Sequence, residues 1–196
     1  MCKFASFVLT KDREFWSETG DSHNDIIREN NLNEWGSHGP NIVKVEISPT
    51  DKIKKWPSLK AWSFRIDQDT FPKWFDAATV EKRTREALNR RFKQGFKTID
   101  AIGCTALTKL KADAAKTIYA GGCTALTKLK ADAAKTIYAR GCTALTELKA
   151  DAADYIYAGG CTALTKLKAD AAKTIYAGGC NPKLKIKARK GATIYR

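Results

Sequence analysis

Acid–base or metal chemistry needs convergent polar side chains, and few in this sequence announce themselves. Histidine occurs twice, at His23 and His38. The acids with the most suggestive spacing are Glu46, Asp67 and Asp69. Asp67-Gln68-Asp69 offers two carboxylates, against the roughly six to eight oxygens that calcium takes, so a turn or cap role is the plainer reading. A phosphate-binding Gly-Lys loop, a nucleophile elbow and a G-x-G-x-x-G are all missing. Of six cysteines, Cys104, Cys123, Cys142, Cys161 and Cys180 recur every 19 residues, and Cys2 stands apart. Even spacing means one equivalent position per repeat, which suits a buried small hydrophobe. Metal binding by thiolates would call for C-x-x-C pairs, and none occurs. The expectation is a non-enzymatic protein with no catalytic residue, no metal and no cofactor.

Binding chemistry is better represented. Lysines come in K-x-K pairs, Lys109 and Lys111, Lys128 and Lys130, Lys166 and Lys168, Lys185 and Lys187, with Glu147 and Lys149 at the corresponding place between them. Tyr119, Tyr138, Tyr157, Tyr176 and Tyr195 repeat at the same interval, flanked by Thr117, Thr136, Tyr155, Thr174 and Thr193. Arg140 replaces a glycine. The candidate contact residues are Lys109, Lys111, Lys128, Lys130, Arg140, Lys149, Lys166 and Lys168, with Tyr119, Tyr138, Tyr157 and Tyr176.

The element that positions them is a repeat, C-T-A-L-T-K-L-K-A-D-A-A-K-T-I-Y-A-R-G over 123–141. It recurs from Cys104, Cys142 and Cys161. It begins early at Lys97–Gly103 and ends in a variant, Cys180–Arg196. The inward candidates are Cys123, Leu126, Leu129, Ala131, Ala134, Ile137 and Ala139, in steps of three and two. A helix needs a sustained three-and-four pattern. Steps of two mark short strands at Leu129–Ala131 and Ile137–Ala139, and steps of three mark turns. Each unit is therefore one coil with two strands, stacked in register on its neighbours. Such a coil cannot bury a core alone, so its stability comes from stacking. The L-x-x-L-x-A-x-x-A pattern resembles a shortened leucine-rich repeat, with alanine where that family favours asparagine or cysteine. A compact β-helix fits equally.

Alternation turns Lys128 and Lys130 outward around Leu129. Like charges on strands about 4.8 Å apart repel by roughly 0.9 kcal/mol in water, and Asp113, Asp132, Asp151 and Asp170 relieve part of this. Lysine rows therefore do little for folding. They serve either solubility, by blunting solenoid edges, or contact with an anionic partner. Tyrosine ladders stabilise sheets and are favoured interface residues.

Residues 1–95 read as a small α+β domain and 96–196 as the solenoid, with a variant last coil. Strands are expected at Phe4–Leu9, at Asn41–Ile47 before Pro49, and at Trp62–Ile66. A helix is expected from Ser22 to Asn30 with Ile26 and Ile27 inward, and a turn over Gly36–Pro40. A second helix, capped by Asp76, runs to about Gln94 with Ala77, Val80, Thr84, Ala87, Leu88 and Phe92 on one face. Lys82, Arg83, Arg85, Arg90, Arg91 and Lys93 make its other face basic. An open solenoid end needs a cover, and this helix is the candidate.

Cys2-Lys3-Phe4, the run Thr10–Trp16, Phe64–Asp69 and Pro72–Asp76 resemble the N-terminal domain of phage and prophage proteins, in which a similar domain precedes short solenoid repeats of varied sequence. The likeness covers the first half by motif and the second by architecture. It implies a phage origin, and with it a role in host takeover or counter-defence. It implies no activity, and no functional residue is carried over from it.

Composition sets the function classes. At 43% hydrophobic the chain is globular. No apolar run is long enough to span a membrane, and the short apolar stretch Phe4–Leu9 does not make a signal peptide, so a cytoplasmic location is expected. Net charge is +14. Residues 1–100 hold 18 Lys and Arg against 15 Asp and Glu, and residues 101–196 hold 17 against 6. The excess lies in the repeats, which points to an anionic partner and disfavours a DNA mimic. The leading expectation is a binding protein for a large protein or nucleoprotein complex, such as a host defence assembly. Direct nucleic-acid binding along the lysines is the second, and an enzyme hosted by the N-terminal domain at Asp67 and Asp69 is the third. A homodimer through an open solenoid end is a further option.

Overall fold

The computed structural model describes residues 5–17, 22–50, 55–56, 62–94 and 96–196. In chain order the first half carries β1 (Ala5–Leu9), β2 (Glu14–Phe15), α1 (His23–Glu29), β3 (Trp35–Gly36), β4 (Gly39–Pro40), β5 (Val43–Pro49), β6 (Lys55–Trp56), β7 (Trp62–Ile66) and α2 (Ala77–Gln94). The chain folds into two compact units, one of residues 5–49 and 62–93, the other of 50, 55–56 and 94–196. The first is a small α+β region and the second a parallel β-solenoid of about five 19-residue coils.

The α+β unit is built on an antiparallel sheet of order β2-β1-β5-β7. β1 lies inside this sheet and is buried along its whole length, Ser6 included. β5 alternates instead: Val43, Val45 and Ile47 are buried while Lys44 and Glu46 are half-exposed. Gly36–Pro40 forms the expected turn as the β3–β4 hairpin. Ser22 caps α1, its Oγ accepting from the Asp25 amide at 3.0 Å, and Ile26 is buried beneath it. Asp76 caps α2 by accepting from the Thr79 amide at 2.8 Å, and hydrogen bonding from the Thr79 side chain and then from its amide holds the carboxyl below the usual range. Val80, Thr84, Ala87 and Leu88 are buried, but Ala77 is exposed, because the first turn of α2 projects past the core. Phe4, Cys2 and the side chain of Phe92 lie outside the described residues.

In the solenoid each coil contributes one strand to each of two parallel sheets. The first comprises β8 (Thr98–Asp100), β10 (Thr117–Tyr119), β12 (Thr136–Tyr138), β14 (Tyr155–Tyr157), β16 (Thr174–Tyr176) and β18 (Thr193–Tyr195). The second comprises β9 (Lys109–Lys111), β11 (Lys128–Lys130), β13 (Glu147–Lys149), β15 (Lys166–Ala169) and β17 (Lys185–Ala188), with β6 pairing in parallel beside β9. Register is the same between successive coils, so Leu110, Leu129, Leu148 and Leu167 stack, as do Ile118, Ile137, Ile156 and Ile175. All seven inward candidates of the 123–141 coil are buried. The periodicity gave no hint that a strand from the first half of the chain covers the edge of β9.

Threonine and cysteine tie coil to coil. Thr127, Thr146 and Thr165 donate Oγ1 to the carbonyl of the equivalent residue one coil back, at 2.9 to 3.3 Å. Cys123, Cys142, Cys161 and Cys180 donate Sγ–H to the carbonyls of Ala101, Ala120, Ala139 and Ala158, at 2.9 to 3.0 Å. The cysteine is thus a small hydrophobe that also satisfies a buried carbonyl. Cys104 departs from the expectation of five equivalent thiols, because it is disulfide-bonded.

Candidate binding surface

On the outer side of the second sheet the lysines fall into two rows with different surroundings. Lys111, Lys130, Lys149, Lys168 and Lys187 interleave with Asp113, Asp132, Asp151 and Asp170. Lys130 lies 2.7 Å from Asp132 and 3.9 Å from Asp113. Lys149 lies 3.1 Å from Asp151 and 3.6 Å from Asp132. Lys168 lies 2.8 Å from Asp170 and 2.9 Å from Asp151. Lys111 and Lys187 close the two ends, at 2.9 Å from Asp113 and 3.7 Å from Asp170. The cause is the sequence K-x-D, which sets each carboxylate beside its own lysine and the next coil's. Hydrogen bonding to Asp132 and to Asp170 raises the lysine pKa values of Lys130 and Lys168, and Lys168 lowers those of Asp151 and Asp170.

The other row is Lys109, Lys128, Glu147, Lys166 and Lys185. Lys109, Lys166 and Lys185 are exposed and have no ion-pair partner among the described residues, while Lys128 lies 3.4 Å from Glu147. On the first sheet's side Asp154 answers in the same way, 3.1 Å from Lys173 and 3.9 Å from Lys135. The acid substitutions of the third coil therefore interrupt lysine rows and split each into shorter runs.

The tyrosines form a continuous stack. Tyr119, Tyr138, Tyr157, Tyr176 and Tyr195 have ring centroids 4.7 to 4.9 Å apart and interplanar angles of 6 to 7°. This spacing is the strand spacing itself, so the ladder is a product of register. Arg140 places its guanidinium 5.7 Å from the Tyr157 centroid. Arginine fits there because Gly121, its counterpart one coil back, lacks the left-handed φ that the next residue, Gly122, needs. Tyr155, in the threonine position, is exposed.

The basic face of α2 is largely committed inside its own unit. Arg83 and Arg90 grip Glu14 at 2.7 and 2.6 Å, and Arg83 also donates to the carbonyls of Thr10 and Lys11. Arg85 pairs with Glu81 at 2.7 Å, and buried Arg91 donates to the Ser17 carbonyl at 3.1 Å. Lys82 and Lys93 are exposed.

Of the acids singled out in the sequence, Asp67 and Glu46 come together and Asp69 stays exposed apart from them. Arg65 bridges the pair, 2.5 Å from Glu46 and 3.1 Å from Asp67, and His23 adds its ring, 3.3 Å from Asp67. His23 was not linked to these acids by sequence, because helix and strands bring them together only in the fold. Gln68 takes the turn role. Its Oε1 accepts from the Lys44 amide at 2.7 Å, and its Nε2 donates to the carbonyls of Ile42 and Thr70 at 3.1 and 2.6 Å. Among the described residues no helix is long and apolar enough to cross a membrane. No family model matches the chain, and no curated protein or solved structure matches it.

Proposed function

We propose that the solenoid is a non-enzymatic binding surface for a large protein or nucleoprotein partner. Contact runs along Lys109, Lys128, Lys166 and Lys185, with Arg140, Tyr155 and Tyr157 as a second contact on the tyrosine side. The observation that carries this reading is the contrast between the two lysine rows. One row is matched with aspartates and serves the fold. The other keeps Lys109, Lys166 and Lys185 exposed with no acidic partner among the described residues, and only Lys128 is paired, with Glu147.

The interruption at Glu147 favours a folded partner over a bare polyanion. A continuous phosphate chain would meet a carboxylate halfway along the row, whereas a protein face can set a cation opposite it. Arginine and tyrosine at the same coil are residue types enriched at interface hot spots. The likeness of the first half to phage and prophage domains makes a host defence assembly in the host cytoplasm the first partner class to test, with this protein as its inhibitor.

The test is a tagged pull-down from host cells, with and without nuclease, read by mass spectrometry. A partner retained after nuclease supports the reading. Loss of every partner with nuclease assigns the lysines to nucleic acid instead. Reversing charge at Lys109, Lys128 and Lys166 should weaken capture more than reversing Lys11, Lys73 and Lys82. Equal effects would mean that net charge alone governs capture, and the row would have no special role.

A further inference from the structure

Three side chains of ligand type meet in the α+β unit. His23 at the start of α1, Glu46 in β5 and Asp67 just past β7 bring an imidazole nitrogen and two carboxylate oxygens within 4.8 Å of one another. Glu46 lies opposite Arg65 across the β5–β7 pair. Asp67 is two residues beyond Arg65, so it returns to the same face.

The bonding of the imidazole fixes which nitrogen meets the acids. His23 Nε2 lies 3.1 Å from the Val45 carbonyl oxygen. A carbonyl oxygen only accepts, so Nε2 carries the ring proton in that contact. Nδ1 then presents its lone pair to Asp67 Oδ2, 3.3 Å away. Two acceptors do not attract each other, so an electrophile belongs between them, either a second proton or a metal ion. One ring nitrogen anchored on a backbone carbonyl, with the other free toward carboxylates, is how ligating histidines are held.

The distances suit a metal. Tetrahedral zinc has bonds of about 2.0–2.1 Å, which places neighbouring ligand atoms about 3.3–3.4 Å apart. The His23–Asp67 separation of 3.3 Å already equals that edge. Glu46 has to close by about 1.5 Å at most, a change on the scale of a side-chain rotation. Arg65 supplies the positive charge between the two carboxylates. Its side chain is 66% exposed, so it can turn into water, while that of His23 is 10% exposed and is held.

We propose that His23, Glu46 and Asp67 form a divalent-metal site of the zinc class, and that Arg65 competes with the metal for the two carboxylates. Three protein ligands leave a fourth position for water or for a ligand atom from a partner.

The test uses the full chain after chelator treatment, titrated with zinc chloride by calorimetry. One zinc per chain is expected, with only nitrogen and oxygen ligands by X-ray absorption. His23→Ala should weaken binding by at least about tenfold, as loss of a ligand does. Arg65→Gln should tighten binding, since it removes the competing cation. Should His23→Ala fail to fold, as judged by its melting curve without zinc, Glu46→Gln carries the same test from a strand surface. No zinc uptake, sulfur in the coordination shell, or full affinity in the folded ligand variants would each overturn the proposal. In the first case a second ring proton on His23 fills the gap.

Discussion

Glu147 stands in register between Lys128 and Lys166, with its carboxylate 3.4 Å from the Lys128 ammonium. It is the one acid in a row that otherwise repeats lysine at every coil. Glu147→Lys would complete the row and set five ammonium groups side by side. Each new neighbour adds roughly 0.9 kcal/mol of repulsion before screening. A melting temperature a few degrees lower is expected at low salt. The difference should shrink near 1 M salt, where the screening length falls to about 3 Å. A loss of equal size at both salt levels would trace the effect to packing and remove charge relief as the reason for glutamate there.

Asp151 receives Lys168 at 2.9 Å and Lys149 at 3.1 Å, and the Lys168 hydrogen bond lowers its pKa in the folded state. A carboxylate with a depressed folded pKa contributes stability above its unfolded value, and that contribution is lost as pH falls through the folded value. Asp151→Asn should therefore cost about 0.5–1 kcal/mol at pH 7, the range of a partly exposed pair. The gap between the two melting curves should close below about pH 4, where the ordinary aspartate protonates. A gap that persists in acid would show that the carboxylate charge is not what stabilises.

Much of this fold was legible because the repeat prints its own register. Leu129, Ala131, Ile137 and Ala139 mark strands by steps of two, and stacking carries one coil's pattern to all. Asp76 and Ser22 announced helix starts through local capping that needs no distant partner. What the sequence did not display was long-range. Lys55–Trp56 pairs with a strand more than fifty residues later, and nothing in its composition says so. The lysine rows read as equivalent in one dimension, yet only one lies where K-x-D supplies partners on both sides. His23, Glu46 and Asp67 are separated by 23 and 21 positions, too far for any spacing rule to join them.

The thiols should report the order in which coils open. Cys123, Cys142 and Cys161 are fully buried, and Cys180 is half-buried in the last coil. The thiol pKa of Cys123 is pushed up by its hydrogen bond to Cys142 and then by burial, and that of Cys180 is raised by burial. A maleimide must reach the sulfur, so native labelling of the buried inner thiols requires opening. Under non-reducing conditions at pH 8, Cys180 should react with a maleimide first, and the other three only at the rate of unfolding. Fast labelling of all four would mean that the coils separate within the native state. Cys142→Ala removes both volume and the donor to Ala120, and should cost about 1–2 kcal/mol.

The two glycines that end a coil answer to different constraints, and a pair of variants separates them. Gly122 has a φ of +71°, and a Cβ there would meet nothing closer than 3.9 Å. Its requirement is conformational, since L side chains disfavour that region by about 1 kcal/mol or more. At Gly121 no such φ applies, and a Cβ would rest 3.6 Å from the Arg140 carbonyl oxygen, an ordinary contact. Gly122→Ala should therefore lower stability by about 1 kcal/mol or more, while Gly121→Ala should be neutral or slightly stabilising, because it restricts the unfolded chain. The chain contains its own control, since Arg140 already fills the position equivalent to Gly121 while Gly141 keeps a φ of +69°. Chemical denaturation of the two alanine variants measures the difference. Equal losses would show that the first glycine is held by space at the turn, and Arg140 would then be a strained residue retained for its contact with Tyr157.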